Sequence, residues 1–264
     1  MKLTQIRNAT NRVEYGGVTF LIDPWLEAQG SVSFIKDFSA LGLHIPDPVK
    51  EQILMPIYGL PMEKEEILEG VDCYIITHLH PDHIDWAADG TVGGTLKKDI
   101  PTFCQNEDDA KVLRDSGFRD VTLLTAKGIT VGKVTLFKTP CRHGVIEPCG
   151  DAMGVIFSAP GEKTLYLAGD TILYEGVRTV LQTYHPELIM LNSCAAETIE
   201  NGRLIMNDED IAAVSALEPG ATLYLTHLDN VSHAALTRHT LRARLAQRNV
   251  THFVMPLDGE SMTF

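Results

Sequence analysis

The stretch "THLHPDHID", residues 77–85, crowds three histidines and two aspartates into nine positions directly after the apolar run "VDCYII". His78 and His80 stand two apart, so on an extended segment leaving a strand their side chains point the same way. Pro81 suits the first position of a helix, and the spacing predicts one there, folding Asp82 and His83 back beside the first pair. Three imidazoles and a carboxylate held this close would repel on protonation and would lose solvation without a bound partner. A divalent cation supplies that partner. Imidazole and carboxylate donors suit zinc, iron, manganese or nickel, not thiolate-seeking ions.

Three further candidates each follow an apolar run of β type: His143 after "VTLFKTPCR", Asp170 after "TLYLAG" and His227 after "TLYLT". Strand ends on one side of a sheet are where α/β proteins gather their active-site groups. Seven donors exceed the needs of one tetrahedral ion and match two ions sharing a carboxylate.

The whole chain bounds the alternatives. Its 264 residues are 44% hydrophobic and 22% charged, ordinary values for a globular protein, and the expectation is one domain over residues 1–264. The net charge of −13, without a Lys/Arg cluster, argues against a nucleic-acid partner. No apolar run approaches the roughly 20 residues that span a bilayer, and "MKLTQIRNAT" lacks a signal-peptide core, so the expected location is cytoplasmic, with no membrane partner. Five scattered cysteines without a C-x-x-C pair read as reduced thiols.

Strand and helix signals alternate. "KLTQIRNATNRVEYGGVTFLIDP" reads as short strands broken at Asn8–Asn11 and at Gly16-Gly17. An irregular Pro- and Gly-rich segment, 24–61, with Trp25, Phe34, Phe38 and Tyr58, reads as a functional loop or lid. Beyond it, helices are predicted over 63–69, 106–116, 174–184, 207–218 and 237–248. Strands are predicted over 71–77, 131–139, 153–159, 164–169, 186–192, 221–226 and 252–256. Strands alternating with helices of about ten residues give an α/β layered architecture.

The run His78-x-His80-x-Asp82-His83, with His143, Asp170 and His227 following in order, resembles the metallo-β-lactamase superfamily over nearly the whole chain. Within it, "FLIDPWL", "LYLAGDTILYEG" and "MPLDGE" are similar to the small stand-alone branch that includes the ascorbate-6-phosphate lactonases. The resemblance implies a four-layered αβ/βα sandwich. It assigns His78, His80 and His143 to one metal, Asp82, His83 and His227 to a second, and Asp170 to the bridge. It implies a binuclear metal-dependent hydrolase with two divalent cations as cofactors, zinc foremost. A metal-bridging hydroxide oriented by Asp82 would attack a small ester, lactone or phosphoester, anionic substrates included. Three other functions stand beside this one: a nuclease or phosphodiesterase of the same superfamily, an iron-dependent redox enzyme, and a non-catalytic metal-stabilised binding module. The acidic charge opposes the first, and the flavodiiron type carries glutamate where His80 stands. A homo-oligomer is left open.

Around the ligands the alternatives are open. Asp23 is read as the acceptor of a ligating imidazole's N–H or as an Asp-Pro turn residue. His233 is a proton donor to a leaving group or a surface histidine. Tyr174 and Glu175 line the pocket or begin a helix. His44, His185, His239 and His252 are read as structural, and Cys141 and Cys149 flank His143 without entering a donor set already filled by nitrogen and oxygen.

Overall fold

The computed structural model describes residues 1–32, 49 and 52–264. The loop expected over 24–61 therefore falls partly outside the described residues, at 33–48, 50 and 51, and with it Phe34, Phe38 and His44.

Two seven-stranded sheets form, and the alternation of apolar residues explains why both are covered on both faces. The first is a meander of β1 (Lys2–Arg7), β2 (Thr10–Tyr15) and β3 (Val18–Ile22), continued in parallel by β4 (Cys73–Ile75), β5 (Thr102–Cys104) and β6 (Val121–Leu123). The second runs antiparallel through β7 (Ile129–Val131), β8 (Val134–Pro140), β9 (Met153–Ser158) and β10 (Leu165–Leu167). It then continues in parallel through β11 (Leu188–Asn192), β14 (Thr222–Thr226) and β15 (Phe253–Val254). Between β11 and β14 the chain makes a small hairpin of β12 (Glu197–Thr198) and β13 (Gly202–Arg203). The last strand, β16 (Ser261–Thr263), returns to pair with β1 and close the edge of the first sheet.

Successive strand residues face opposite sides. In β4, Cys73 and Ile75 enter the core between the sheets, while Tyr74 and Ile76 enter a second core on the outer face. In β11, Leu188 and Met190 face inward and Ile189 and Leu191 outward. Strands apolar on both faces need a cover on both. Helices α1 (Lys64–Leu68) and α2 (Glu107–Asp115) cover the first sheet through Ile67, Leu68, Ala110 and Leu113. Helices α3 (Glu175–Tyr184), α4 (Asp208–Leu217) and α5 (Arg238–Gln247) cover the second through Val177, Leu181, Ile211, Val214, Leu241 and Leu245. The result is the expected four-layered αβ/βα sandwich. Asn106, Asn207 and Thr237 each accept backbone N–H bonds at the starts of α2, α4 and α5, as their positions in the sequence predict.

Two expectations need correction. The single strand predicted over 131–139 is a hairpin, β7 turning into β8 at Gly132, whose φ of +59° places it in the left-handed region. Strands β5, β6 and β16 carry no signal strong enough to predict, because three residues are too few to establish a period. Among the described residues no helix is long and apolar enough to cross a membrane.

Helices α4 and α5 are stapled by buried Asp208, whose Oδ1 and Oδ2 accept from Arg244 Nη1 at 3.2 Å and Arg248 Nε at 2.5 Å. Burial alone would raise this carboxyl, but the two guanidiniums hold it below the usual range. A depressed folded-state pKa gives stability that is present above about pH 3.9 and is lost as the pH falls through the folded value. Asp208→Ala is therefore expected to cost about 1–2 kcal/mol at pH 7, because both arginines keep partial hydration. Denaturant curves of the two proteins should converge below about pH 4.

Candidate metal centre

All seven predicted donors lie at carboxyl ends of strands, where the two sheets open towards each other. Asp23 follows β3, the "HLHPDH" run follows β4, His143 follows β8, Asp170 follows β10 and His227 follows β14. Residues 81–83 do not begin a helix. They form a turn closed by His83 N donating to His80 O at 3.0 Å, after which Trp86 bridges to Val92. The Asp- and Gly-rich run "ADGTVGG" favours tight turns over helix propagation, so the segment after Pro81 turns instead of forming a helix. Asp85, the last residue of the opening motif, anchors two loops by accepting from Leu26 N at 2.6 Å and Thr95 Oγ1 at 2.7 Å.

The donors fall into three overlapping groups able to hold an ion: His78, His80 and His143; Asp82, His83 and His227; and His78, His83 and Asp170. Asp170 joins the first two. Its Oδ1 accepts from Asn192 Nδ2 at 2.5 Å, leaving Oδ2 to face four imidazoles. The Nε2 atoms of His83, His143, His78 and His227 lie 3.4, 3.7, 3.8 and 3.9 Å from that single oxygen.

For His83, His78 and His143 the far side of the ring fixes which nitrogen faces the site. Asp23 Oδ2 accepts from His83 Nδ1 at 2.9 Å and from Thr77 Oγ1 at 2.8 Å, so the Thr77 hydroxyl oxygen is left to accept from His78 Nδ1 at 3.0 Å. His143 Nδ1 donates to Leu204 O at 3.1 Å. In His78 and His143 the remaining Nε2 is buried with no hydrogen-bond partner. His83 Nε2 and His227 Nε2 face each other at 3.1 Å. Stranded lone pairs cost free energy unless a proton or cation lies among them, so the residues present fit bound cations.

Protonation preferences divide the cluster in two. Burial and the neighbouring imidazoles push His78 well below its ordinary value, and burial with His143 pushes His80 down to about 4. His83 behaves oppositely: burial would lower it, but Asp170, Asp23 and Asp82 raise it to about 10. His227 is likewise raised by Asp170 against the opposing effect of burial. Burial would raise Asp82 and Asp170, yet the His83 charge holds both well below the carboxylate range. One half of the cluster offers neutral lone pairs, and the other is a negative pocket that binds protons when no cation is there.

Asp23 takes the orienting geometry, not merely a turn. Besides His83 and the Thr77 hydroxyl it accepts Thr77 N at 2.7 Å, which locks the strand end that launches His78. His233 Nε2 lies 3.9 Å from Asp82 Oδ2, inside the site rather than on the surface. Tyr174 is the N-cap of α3 and Glu175, exposed in its first turn, belongs to the helix start. His185 ends α3 beside Glu218, and His252 contacts Thr222, both remote from the donors. Cys141 Sγ bonds to Ala168 O and stays outside the donor groups.

Two polar residues at the site carried no functional expectation. Asn192 closes an otherwise apolar strand, a pattern that a search for polar residues at carboxyl ends of strands would detect. Asn8 sits in the β1–β2 turn, yet its Nδ2 reaches Asp82 O at 3.0 Å and Asp82 Oδ2 at 3.2 Å. Turn chemistry fully explains an asparagine there, so the sequence carries no second signal.

The donor loops have an apolar border. The loop leaving His143 closes through Cys149 N donating to His143 O, and the space beside Gly150 is bounded by His80 Nε2. This loop exposes Val145 and Ile146, which pack beside Gly202, while the hairpin β12–β13 exposes Ile199. Arg142 on the same loop spends its guanidinium on the carbonyls of Gly144 and Val145. Opposite, Ile57 N and Tyr58 N bond to Asn230, just past His227, and Asn230 in turn donates to Asp258 of "MPLDGE".

The β-lactamase superfamily domain family matches residues 19–228. The UPF0173 protein YddR of Bacillus subtilis (strain 168) is 36% identical over the full length of both chains. Among solved structures, an isothiocyanate hydrolase from Delia radicum gut bacteria is 34% identical, with a TM-score of 0.86 over 100% of this chain and 99% of that one. A possible metal-dependent hydrolase from Veillonella parvula DSM 2008 is 31% identical, with a TM-score of 0.89 over the same shares.

Proposed function

The chain belongs to the β-lactamase superfamily as a metal-dependent hydrolase, and we propose that it holds two divalent cations and hydrolyses small uncharged carbon electrophiles. His78, His80 and His143 would hold one cation and Asp82, His83 and His227 the other, with Asp170 between the two sets. The observation that carries this reading is the single Asp170 oxygen facing four imidazole nitrogens, two from each set. Zinc fits the donors first, with manganese, iron and nickel as alternatives.

Cations held there would supply Lewis acidity and a water acidic enough to ionise near neutral pH. The chain's own groups do the rest. Asp82 Oδ2, held by Asn8 Nδ2, would orient the attacking water. His233 Nε2, 3.9 Å from the same oxygen, delivers a proton to the leaving atom. Buried Asp23 keeps His83 and His78 in the tautomers that present Nε2.

The border formed by Val145, Ile146 and Ile199 favours an apolar organic group over a phosphate, since the Arg142 guanidinium is committed to carbonyls. Esters and lactones fit. An isothiocyanate fits as well: water oxygen adds to the central carbon as nitrogen takes one proton, and the thiocarbamic acid so formed passes its remaining acidic proton to nitrogen as the C–N bond breaks, releasing an amine and carbonyl sulfide. The solved relative named for that activity, 34% identical over the whole chain, supports including this class.

The test is a panel of benzyl isothiocyanate, an alkyl lactone, a p-nitrophenyl ester and bis-p-nitrophenyl phosphate with the zinc-loaded protein. At least one carbon electrophile should be turned over faster than the phosphodiester; the reverse order would overturn the substrate class. His233→Ala should slow the poor leaving groups about 100-fold, the p-nitrophenyl ester far less, and leave zinc content unchanged. Equal losses on all substrates would remove His233 from the proton-donor role.

A further inference from the structure

Asn8 does more than turn the chain between β1 and β2. We propose that it is the positioning residue of one cation position only, the one formed by Asp82, His83 and His227. This rests on the two-cation reading above. The side-chain amide grips one residue twice, at Asp82 O and Asp82 Oδ2, and so fixes both the backbone and the carboxylate of that donor. The same nitrogen lies 3.3 Å from His227 Nε2.

The main chain of Asn8 holds the other partner. Its carbonyl accepts from His227 N at 3.0 Å and from Gln5 Nε2 at 2.9 Å, and Thr226 Oγ1 lies 2.8 Å away. One fully buried residue thus ties together two of the three donors of this position, across the gap between the two sheets. The other trio does not depend on it. His78 is supported by Thr77 and His143 by the Leu204 carbonyl.

The backbone of Asn8 is left-handed, with φ +50°, a conformation for which glycine is the least strained residue. Glycine would also avoid burying Oδ1, which has no hydrogen-bond partner. An asparagine kept in spite of that stranded acceptor points to its donor as the group in use.

Asn8→Gly is the incisive variant, because it keeps the turn and the carbonyl and deletes only the amide. Apo protein is titrated with Co(II), following the d–d spectrum and counting bound metal per chain by elemental analysis. The wild type should take two equivalents. Asn8→Gly should keep one tight equivalent and bind the second about 10–100-fold more weakly. Its kcat should fall more than its KM changes, and raised Co(II) should restore it. Asn8→Asp, which sets a carboxylate against Asp82 without altering shape, should show the same selective loss and covers the case in which the glycine variant fails to fold. Two unchanged equivalents in the variants, or equal weakening of both, would overturn the role of Asn8. A wild type that binds a single equivalent would overturn the two-cation reading and this inference with it.

Discussion

Asp170→Ala is expected to lower kcat/KM by about three orders of magnitude or more on whichever substrate the wild type turns over. Among the described residues the carboxylate has no substitute: Oδ1 is tied to Asn192, and Oδ2 faces imidazoles of both donor sets. Lewis-acid stabilisation of transition-state charge is worth several kcal/mol, and each 1.4 kcal/mol is about tenfold in rate. On the proposed two-cation reading, removing the group between the two donor sets therefore removes most of the catalysis. The variant should still fold, because Asp170 lies above the sheet rather than within the apolar layers. Circular dichroism would check the fold while steady-state kinetics checks the loss. A folded Asp170→Ala protein with more than about a tenth of wild-type activity would contradict the shared-carboxylate assignment.

Removal of metal should be the largest perturbation of stability. A ligand present at about 1,000 times its Kd stabilises the folded state by about 4 kcal/mol, which for a chain of this size is roughly 10 °C in Tm. Chelator-treated protein should melt lower by about that amount and recover on adding zinc. The gap should depend on pH in a defined direction. In the apo protein His83 is raised to about 10, and His227 is also raised, so their protons stabilise the apo fold fully below about pH 6.5 and progressively less as the pH climbs towards 10. Cations must displace those protons, so the gap in Tm should widen between pH 7 and 9. Metal binding at pH 7 should release about two protons per chain, measurable by calorimetry in buffers of different ionisation enthalpy. A gap that narrows over that range would contradict the assignment of His83 and His227 as donors.

The chemistry was legible because its donors sit in short, recognisable contexts. Four of them share six residues, and the other three each follow a strand whose apolar run is visible in the sequence. The fold was legible for a related reason: a run such as "LIML", residues 188–191, is apolar at every position and so demands cover on both faces. The helix predicted at Pro81 was the main local error. Pro81 and Asp82 are compatible with a helix start, but the glycines and aspartates downstream favour turns, and the loop is held instead by Asp85 and by the pairing of Trp86 with Val92.

The layered architecture and the crowding of candidate donors in "HLHPDH" could be read from the sequence, because residue type and strand periodicity are local properties. How closely those donors approach one another, and which groups hold them, follows from the packing of the two sheets. Asn8 and Asp82 are 74 positions apart, Asp23 and His83 are 60 apart, and His227 comes from the opposite sheet. Hydrogen-bond partners at such separations are set by where the packed sheets bring strand ends together. No local pattern encodes that meeting, and so the role of Asn8, and which imidazole Asp23 orients, became visible only in the fold.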